Sequence, residues 1–333
     1  MSVSGDSVRS LDDLQKGERE QIRDFINSLG FRSVISVVFH PITCATTLMK
    51  LGHEPYPAVR GRSFYYFGRE SSYLPNVFSY IRNIIRDHGW KSIYSGLDAH
   101  LAAFTISSAS SFFIMMYMNR YCQHVGGEPM NLSKDESQLT LHGSVRLRTR
   151  RAIRETIATL IATTVSRPFT VIMVRQIHSI IGSTCKYEDI FSSIAFIYNH
   201  QGMDGFFVGL MPDLIASFAG ILGTAILRFL AERFIESNFN CDEDYASARC
   251  GFCYLIPSIV NSITYPLTVV STVMALNERL PLTHFPRTSH WTDLYYHLKM
   301  ANLLNIGGMF WRKDINRKKP EIEAIEFINS EYK

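Results

Sequence analysis

The sequence predicts an all-α integral membrane protein built from three related repeats, the third of them incomplete. Three observations predict it. Five apolar segments, at roughly 31–51, 97–119, 152–181, 206–235 and 246–276, are each long enough to cross a bilayer. The first, third and fifth carry an internal proline with a threonine two residues later: His40-Pro41-Ile42-Thr43, Arg167-Pro168-Phe169-Thr170 and Tyr265-Pro266-Leu267-Thr268. A glycine-bounded aromatic turn then recurs, as Gly89-Trp90-Lys91-Ser92-Ile93-Tyr94-Ser95-Gly96-Leu97, Gly202-Met203-Asp204-Gly205-Phe206-Phe207-Val208-Gly209-Leu210 and an eroded Gly307-Gly308-Met309-Phe310-Trp311-Arg312. Composition agrees: hydrophobic residues make up 46% and charged residues 19% of the 333, against about 25% charged in an ordinary soluble chain.

Taken in order, residues 1–29 form a polar N-terminal segment. It lacks a secretory apolar core, and its acids (Asp12, Asp13, Glu18, Glu20 and Asp24) do not suit a cleavable mitochondrial presequence. The first repeat spans 30–120. Its connection, 52–96, contains an amphipathic helix in which Phe78, Ile81, Ile84 and Ile85 share one face and Arg82 and Arg86 point away. Residues 121–149 are polar and mixed in charge, and are expected as a mobile loop. The second repeat spans 150–240, with Ile190, Ile194 and Ile197 on one face of its own loop helix. The third, 241–312, is incomplete: the charged tail 313–333 offers no apolar stretch for a sixth membrane helix. A ring of six lacking one member is expected to be open to lipid between the first and fifth helices.

The same sequence excludes several classes. A net charge of +4 without a basic, aromatic-rich run does not suit nucleic acid. The six cysteines form no secreted framework, and Cys250-Gly251-Phe252-Cys253, without a second pair, is read as two small buried residues on one helix face. No phosphate-binding glycine loop, no H-E-x-x-H and no G-x-S-x-G is present. A non-enzyme without cofactor or metal is expected.

Polar residues in the apolar segments follow helical spacing. Arg32, Ser36, His40, Thr43, Thr47 and Lys50 form one stripe, and Thr156, Thr159, Thr163, Arg167 and Thr170 a second. Asp213, Ser217, Thr224, Arg228 and Glu232 lie in the fourth segment; Ser247, Cys250, Tyr254, Ser258, Asn261, Thr264, Thr268 and Ser271 stripe the fifth. A charge at the bilayer centre costs at least about 2.5–3.5 kcal/mol, so the stripes are expected to face a wet interior. Individually, most of the hydroxyls are read as helix-to-helix hydrogen-bonding residues. Lys50, Arg167, Arg175, Asp213 and Arg228 need water or a counter-charge.

The repeat of proline-kinked helix, loop helix, aromatic–x–Gly turn and second helix resembles the mitochondrial carrier fold over roughly residues 30–312. It departs from carriers at the gates. Where a carrier has an acid two residues after the proline and a base three beyond, this chain has Thr43, Thr170 and Thr268, then Thr46, Met173 and Ser271. The closing attraction between helices is lost. Together with Phe206-Phe207-Val208-Gly209-Leu210-Met211-Pro212, Gly52-His53-Glu54-Pro55-Tyr56-Pro57 and Ser183-Thr184-Cys185-Lys186-Tyr187, these features resemble the mitochondrial carrier homologue family, a divergent branch of the carriers.

The resemblance implies residence in the outer mitochondrial membrane and insertion of tail-anchored and other α-helical membrane proteins. It also implies links to phospholipid scrambling and to docking of pro-apoptotic proteins. The residues expected to line a hydrophilic groove are His40, Thr43, Thr47, Lys50, Arg167, Arg175, Asp213, Ser217, Arg228, Asn261 and Thr268. Two alternatives stand beside this reading: a divergent solute carrier with altered gating, and an apoptosis-linked receptor or scaffold without transport.

Overall fold

Proline removes a backbone donor inside a helix and divides it into two parts that neighbours must support. That division organises the computed structural model, which describes residues 3–57, 59–62, 70–127, 141–182, 187, 189–238, 242–277, 290–301, 303, 304 and 307. Eight α-helices are described: α1 (Val3–Lys50), α2 (Val77–His88), α3 (Leu97–Arg120), α4 (Leu141–Gly182), α5 (Ile190–Gln201), α6 (Leu210–Asn238), α7 (Asp242–Asn277) and α8 (Trp291–Met300). Between α1 and α2 an antiparallel hairpin pairs β1 (Val59–Arg62) with β2 (Glu70–Tyr73), Val59 facing Tyr73. Helices α1, α3, α4, α6 and α7 are long and apolar enough to cross a membrane.

Burial follows the prolines. Beyond Pro41, Cys44, Ala45, Leu48 and Met49 of α1 are buried. Beyond Pro168, every residue from Val171 to Ile177 of α4 is buried, and beyond Pro266 the same holds for Val269, Val270, Val273 and Ala275 of α7. The loop helices supply the cover. Val77, Tyr80 and Ile84 of α2 and Ile197 of α5 join the core formed by α1 and α4. Leu294 and Leu298 of α8 close over α7. The halves before the prolines carry exposed apolar side chains instead, among them Phe31, Val34 and Val38 of α1 and Leu255, Ile259 and Ile263 of α7. This is the pattern of a bundle closed at one end and facing lipid along its flanks.

The closed end repeats one device. The residue before each of the first two kink prolines reaches the turn that opens the following membrane helix. His40 Nε2 donates to the Ser95 carbonyl at 3.0 Å, and Arg167 donates through Nε and Nη2 to the Val208 carbonyl at 3.1 and 2.6 Å. The glycine after each carbonyl then presses on the next odd helix: a Cβ on Gly96 would meet the Met173 carbonyl at 3.1 Å, and one on Gly209 the Ser271 carbonyl at 2.7 Å. At the third turn, a Cβ on Gly307 would lie 2.9 Å from both Lys50 Cγ and Tyr265 Oη. The Lys50 ammonium also lies over the Tyr265 ring, 5.1 Å from its centroid. The third turn thus joins α7 back to α1.

Two boundaries differ from the sequence reading. Residues 141–149, expected within a mobile loop, form the first turns of α4, held by Arg148 to Glu232 of α6 and by Arg150 to the Gln123 carbonyl. Helix α1 extends well before residue 30, where Glu18 pairs with Arg120 and Phe25 stacks on Phe112. Cys253, expected to be buried, is exposed. Residues 308–333, on which the expectation of a missing sixth helix falls, lie outside the described residues.

Gly209 sits at φ +70° with Arg167 Nη2 only 2.6 Å from where a Cβ would stand, whereas Gly220 has nothing within 4 Å. Gly209→Ala should therefore lower stability by about 1–3 kcal/mol while Gly220→Ala changes it little, read as melting in detergent. Burial, followed by the neighbouring His88 and His178, holds the His53 imidazole below its ordinary value. The folded state then binds fewer protons than the unfolded chain, and this part of stability is present above pH about 6.5 and lost below it. His53→Gln should flatten the fall in melting temperature on acidifying from pH about 7 to about 5.

Candidate functional site

Before the prolines, α4, α6 and α7 separate around a cavity of about 630 Å³. Each helix presents one face to it. From α4 come Arg148, Arg151, Glu155 and Thr159, continuing toward the N-terminus the threonine stripe seen in the sequence. From α6 come Asp213, Ser217, Gly220, Thr224, Arg228 and Glu232, at steps of three and four that keep them in line. From α7 come Cys253, Pro257, Asn261, Thr264 and Thr268.

Its charges are arranged by depth. At the mouth, Arg148 of α4 pairs with Glu232 of α6 and its guanidinium lies against the Phe229 ring. At the inner end, Arg167 donates to Asp213 Oδ2 at 3.1 Å. Arg167 is 3% exposed, and its remaining donors go to the Val208 and Ser271 carbonyls. It therefore spans α4, the turn before α6, and α7. Between these pairs lie Arg151, Glu155 and Arg228, none of which has a hydrogen-bond or ion-pair partner among the described residues.

Of the eleven residues expected in a groove, the structure gathers Asp213, Ser217, Arg228, Asn261 and Thr268 in this cavity. Arg167 forms its inner end through Asp213. Arg175 lies deeper, buried in the closed end, donating to the Ala275 carbonyl, Gln201 Oε1 and the Gly205 carbonyl. It ties three elements together there. The residues of α1 stand apart from the cavity. His40 and Thr47 are buried, Thr43 accepts from the Thr46 hydroxyl, and Lys50 packs under Tyr265 and Gly307. Sequence reasoning missed Arg148, Arg151 and Glu155 as lining residues. The signal available was the run of steps of three and four back from Thr159 through Glu155 and Arg151 to Arg148, of which the assignment of 121–149 to a loop removed the last.

The comparisons with known proteins agree with this geometry. Residues 151–237, within the second repeat, match the mitochondrial carrier protein family. Mitochondrial carrier homolog 2 of Homo sapiens is 28% identical over 294 residues, covering 84% of this chain and 91% of that protein. Mitochondrial carrier homolog 1 of Mus musculus is 25% identical over 264 residues, covering 73% of this chain and 64% of that protein. The chain is similar to the mitochondrial carrier homologues over most of its length, and its second repeat carries a mitochondrial carrier domain. With a mitochondrial carrier domain and five helices long and apolar enough to cross a bilayer, it is a multi-pass membrane protein.

The carrier domain gives the gate positions their meaning. Hydroxyls at those positions in this homologue turn back on their own helices. Thr46 donates to the Ile42 and Thr43 carbonyls, Thr170 to Ser166, and Thr268 to Tyr265. Ser271 instead donates to the Gly209 carbonyl, and Met173 is buried against the first turn. Of these positions Ser271 ties α7 to the turn before α6, and none offers opposite charges to part and re-form.

Arg167 and Arg228 should respond oppositely to neutralisation. Arg167→Met strands Asp213 and two buried carbonyls and should cost about 3–5 kcal/mol in denaturation. Arg228→Gln, at an unpaired and exposed position, should stay within about 0.5 kcal/mol of the wild type.

Proposed function

We propose that this protein is an insertase of the outer mitochondrial membrane for tail-anchored and other α-helical membrane proteins. One observation carries the reading: α6 lines the cavity all the way from Asp213 to Glu232, with Ser217, Thr224 and Arg228 between them at helical spacing. From the first to the last of these the helix rises about 28 Å at about 1.5 Å per residue, close to the hydrocarbon thickness of about 30 Å. A client's short polar tail meets hydroxyls, an amide and charges for nearly the whole crossing, in place of lipid chains. Its apolar helix stays in lipid alongside. The barrier to moving the tail falls because its polar groups exchange water for groove partners rather than for nothing.

No energy source is required, since the finished helix is more stable in the bilayer than in water. The same face would serve a lipid headgroup whose chains remain in the bilayer, so phospholipid scrambling is a second use of one groove. Alternating access as in an ordinary carrier is less well supported, because the gate positions bond within their own helices.

The test is insertion of a tail-anchored client into liposomes containing the purified protein, scored by protease protection. Ser217→Leu combined with Asn261→Leu removes polarity midway along the cavity and should slow insertion about tenfold, equivalent to about 1.4 kcal/mol on the barrier, with melting unchanged. Equal insertion into protein-free liposomes would sink the proposal. Saturable uptake of a small solute by the same liposomes, without client insertion, would move the solute-carrier reading to the front.

A further inference from the structure

We infer that the outward face of α2 is a docking site for this chain's own acidic segment, residues 320–333, which straps the third repeat to the first across the closed end. The inference stands apart from the insertase reading, because α2 lies at the end of the bundle away from the cavity mouth.

Helix α2 buries one side and leaves the other uncovered. Val77, Tyr80 and Ile84 enter the core. Phe78, Arg82 and Arg86 follow at steps of four on the opposite side, and all three are exposed. Spacing in the sequence groups Phe78 with Ile81 and Ile84, yet in the fold it is 63% exposed, as is Trp90 just past the helix. Lys91, also exposed, extends the basic side. Arg82 has no hydrogen-bond or ion-pair partner among the described residues. Arg86 meets its neighbour Asp87 at 3.6 Å, and that carboxylate also accepts from the Tyr56 hydroxyl at 3.0 Å. The face is thus a basic stripe with an aromatic ring at each end. The other loop helices do not repeat it: α5 contains no lysine or arginine, and α8 exposes Lys299 together with Asp293.

The complement to this stripe is in the chain itself. Charge reverses at Pro320. Before it, Arg312, Lys313, Arg317, Lys318 and Lys319 outweigh Asp314; after it, Glu321, Glu323, Glu326 and Glu331 outweigh Lys333. Ile322, Ile325, Phe327 and Ile328 lie among these acids. Carboxylates suit the planar fork of arginine, and apolar side chains suit Phe78 and Trp90. The basic half of the segment is repelled from the same face, so charge also sets which part docks.

The acidic half is within reach. A Cβ on Gly307 would meet the Lys50 backbone nitrogen at 2.9 Å, and three residues beyond Lys50 the His53 carbonyl accepts from Tyr80 Oη of α2 at 2.7 Å. Residues 308–319 extend to roughly 40 Å, whereas a helix is about 10–12 Å across. A short tether of this kind holds its end at about millimolar effective concentration, so modest contacts suffice.

The test uses the full chain, one copy per nanodisc, with amide hydrogen exchange read at 320–333. Exchange there should be about tenfold slower in the wild type than in a variant carrying Arg82→Glu and Arg86→Glu, with melting unchanged. Changing Glu321, Glu323, Glu326 and Glu331 each to Lys should release the segment equally. Both sets together should restore protection, because the pairs re-form with their charges exchanged. Trp90 gives a second reading, taken as the fluorescence lost in Trp90→Phe: in the wild type it should be shielded from brominated phosphatidylcholine. Equal exchange in the wild type and the arginine variant, or no recovery in the combined variant, would overturn the docking. Strong quenching of Trp90 by the brominated lipid would overturn it too, and would assign this face of α2 to the membrane surface.

Discussion

The fold depends on side chains that catch a turn carbonyl from the position before a kink proline. A proline costs an odd helix one internal hydrogen bond and so weakens the chain where three helices converge. His40 and Arg167 convert that weak point into a junction by holding Ser95 and Val208. The glycines that follow bring backbone against backbone, close enough that no side chain fits. The buried clusters of the odd helices and their loop helices gather on this side of the junction. On the other side the polar cavity lies between α4, α6 and α7, and the Arg148–Glu232 pair joins two of them at its mouth.

The junctions were legible in the sequence because proline and glycine constrain the backbone whatever surrounds them. The three proline–threonine pairs and the aromatic turns located each repeat without knowledge of any contact. The loop helices were legible for a related reason, since their apolar residues must face one way. The start of α4 was not, because residues 141–149 read as the end of a polar, mixed-charge loop. Their helix is fixed by partners distant in sequence, Glu232 and the Gln123 carbonyl. The hairpin at Val59–Tyr73 gave no alternation strong enough to announce it.

The site was legible in part, and the division has a physical origin. Helical spacing says that residues share a face, but not whether that face meets water or another helix. Asp213, Ser217 and Asn261 face the cavity, while His40, Thr47 and Arg175 face seams. In both environments a polar side chain finds partners, so the same pattern results. Arg167 belongs to both, its guanidinium filling a seam and holding the carboxylate that ends the cavity.

The two ends of the bundle are secured by different forces. The closed end is held by apolar packing and by buried donors on backbone carbonyls, which dissolved ions do not reach. The mouth is held by Arg148 with Glu232 and by Arg120 with Glu18, pairs whose side chains remain 22–59% exposed. At an ionic strength of 0.15 M the screening length is about 8 Å, and it shortens further as salt is added. Ionic strength thus acts on the molecule as if on a clothes-peg, relaxing the jaws while the spring at the pivot keeps its tension.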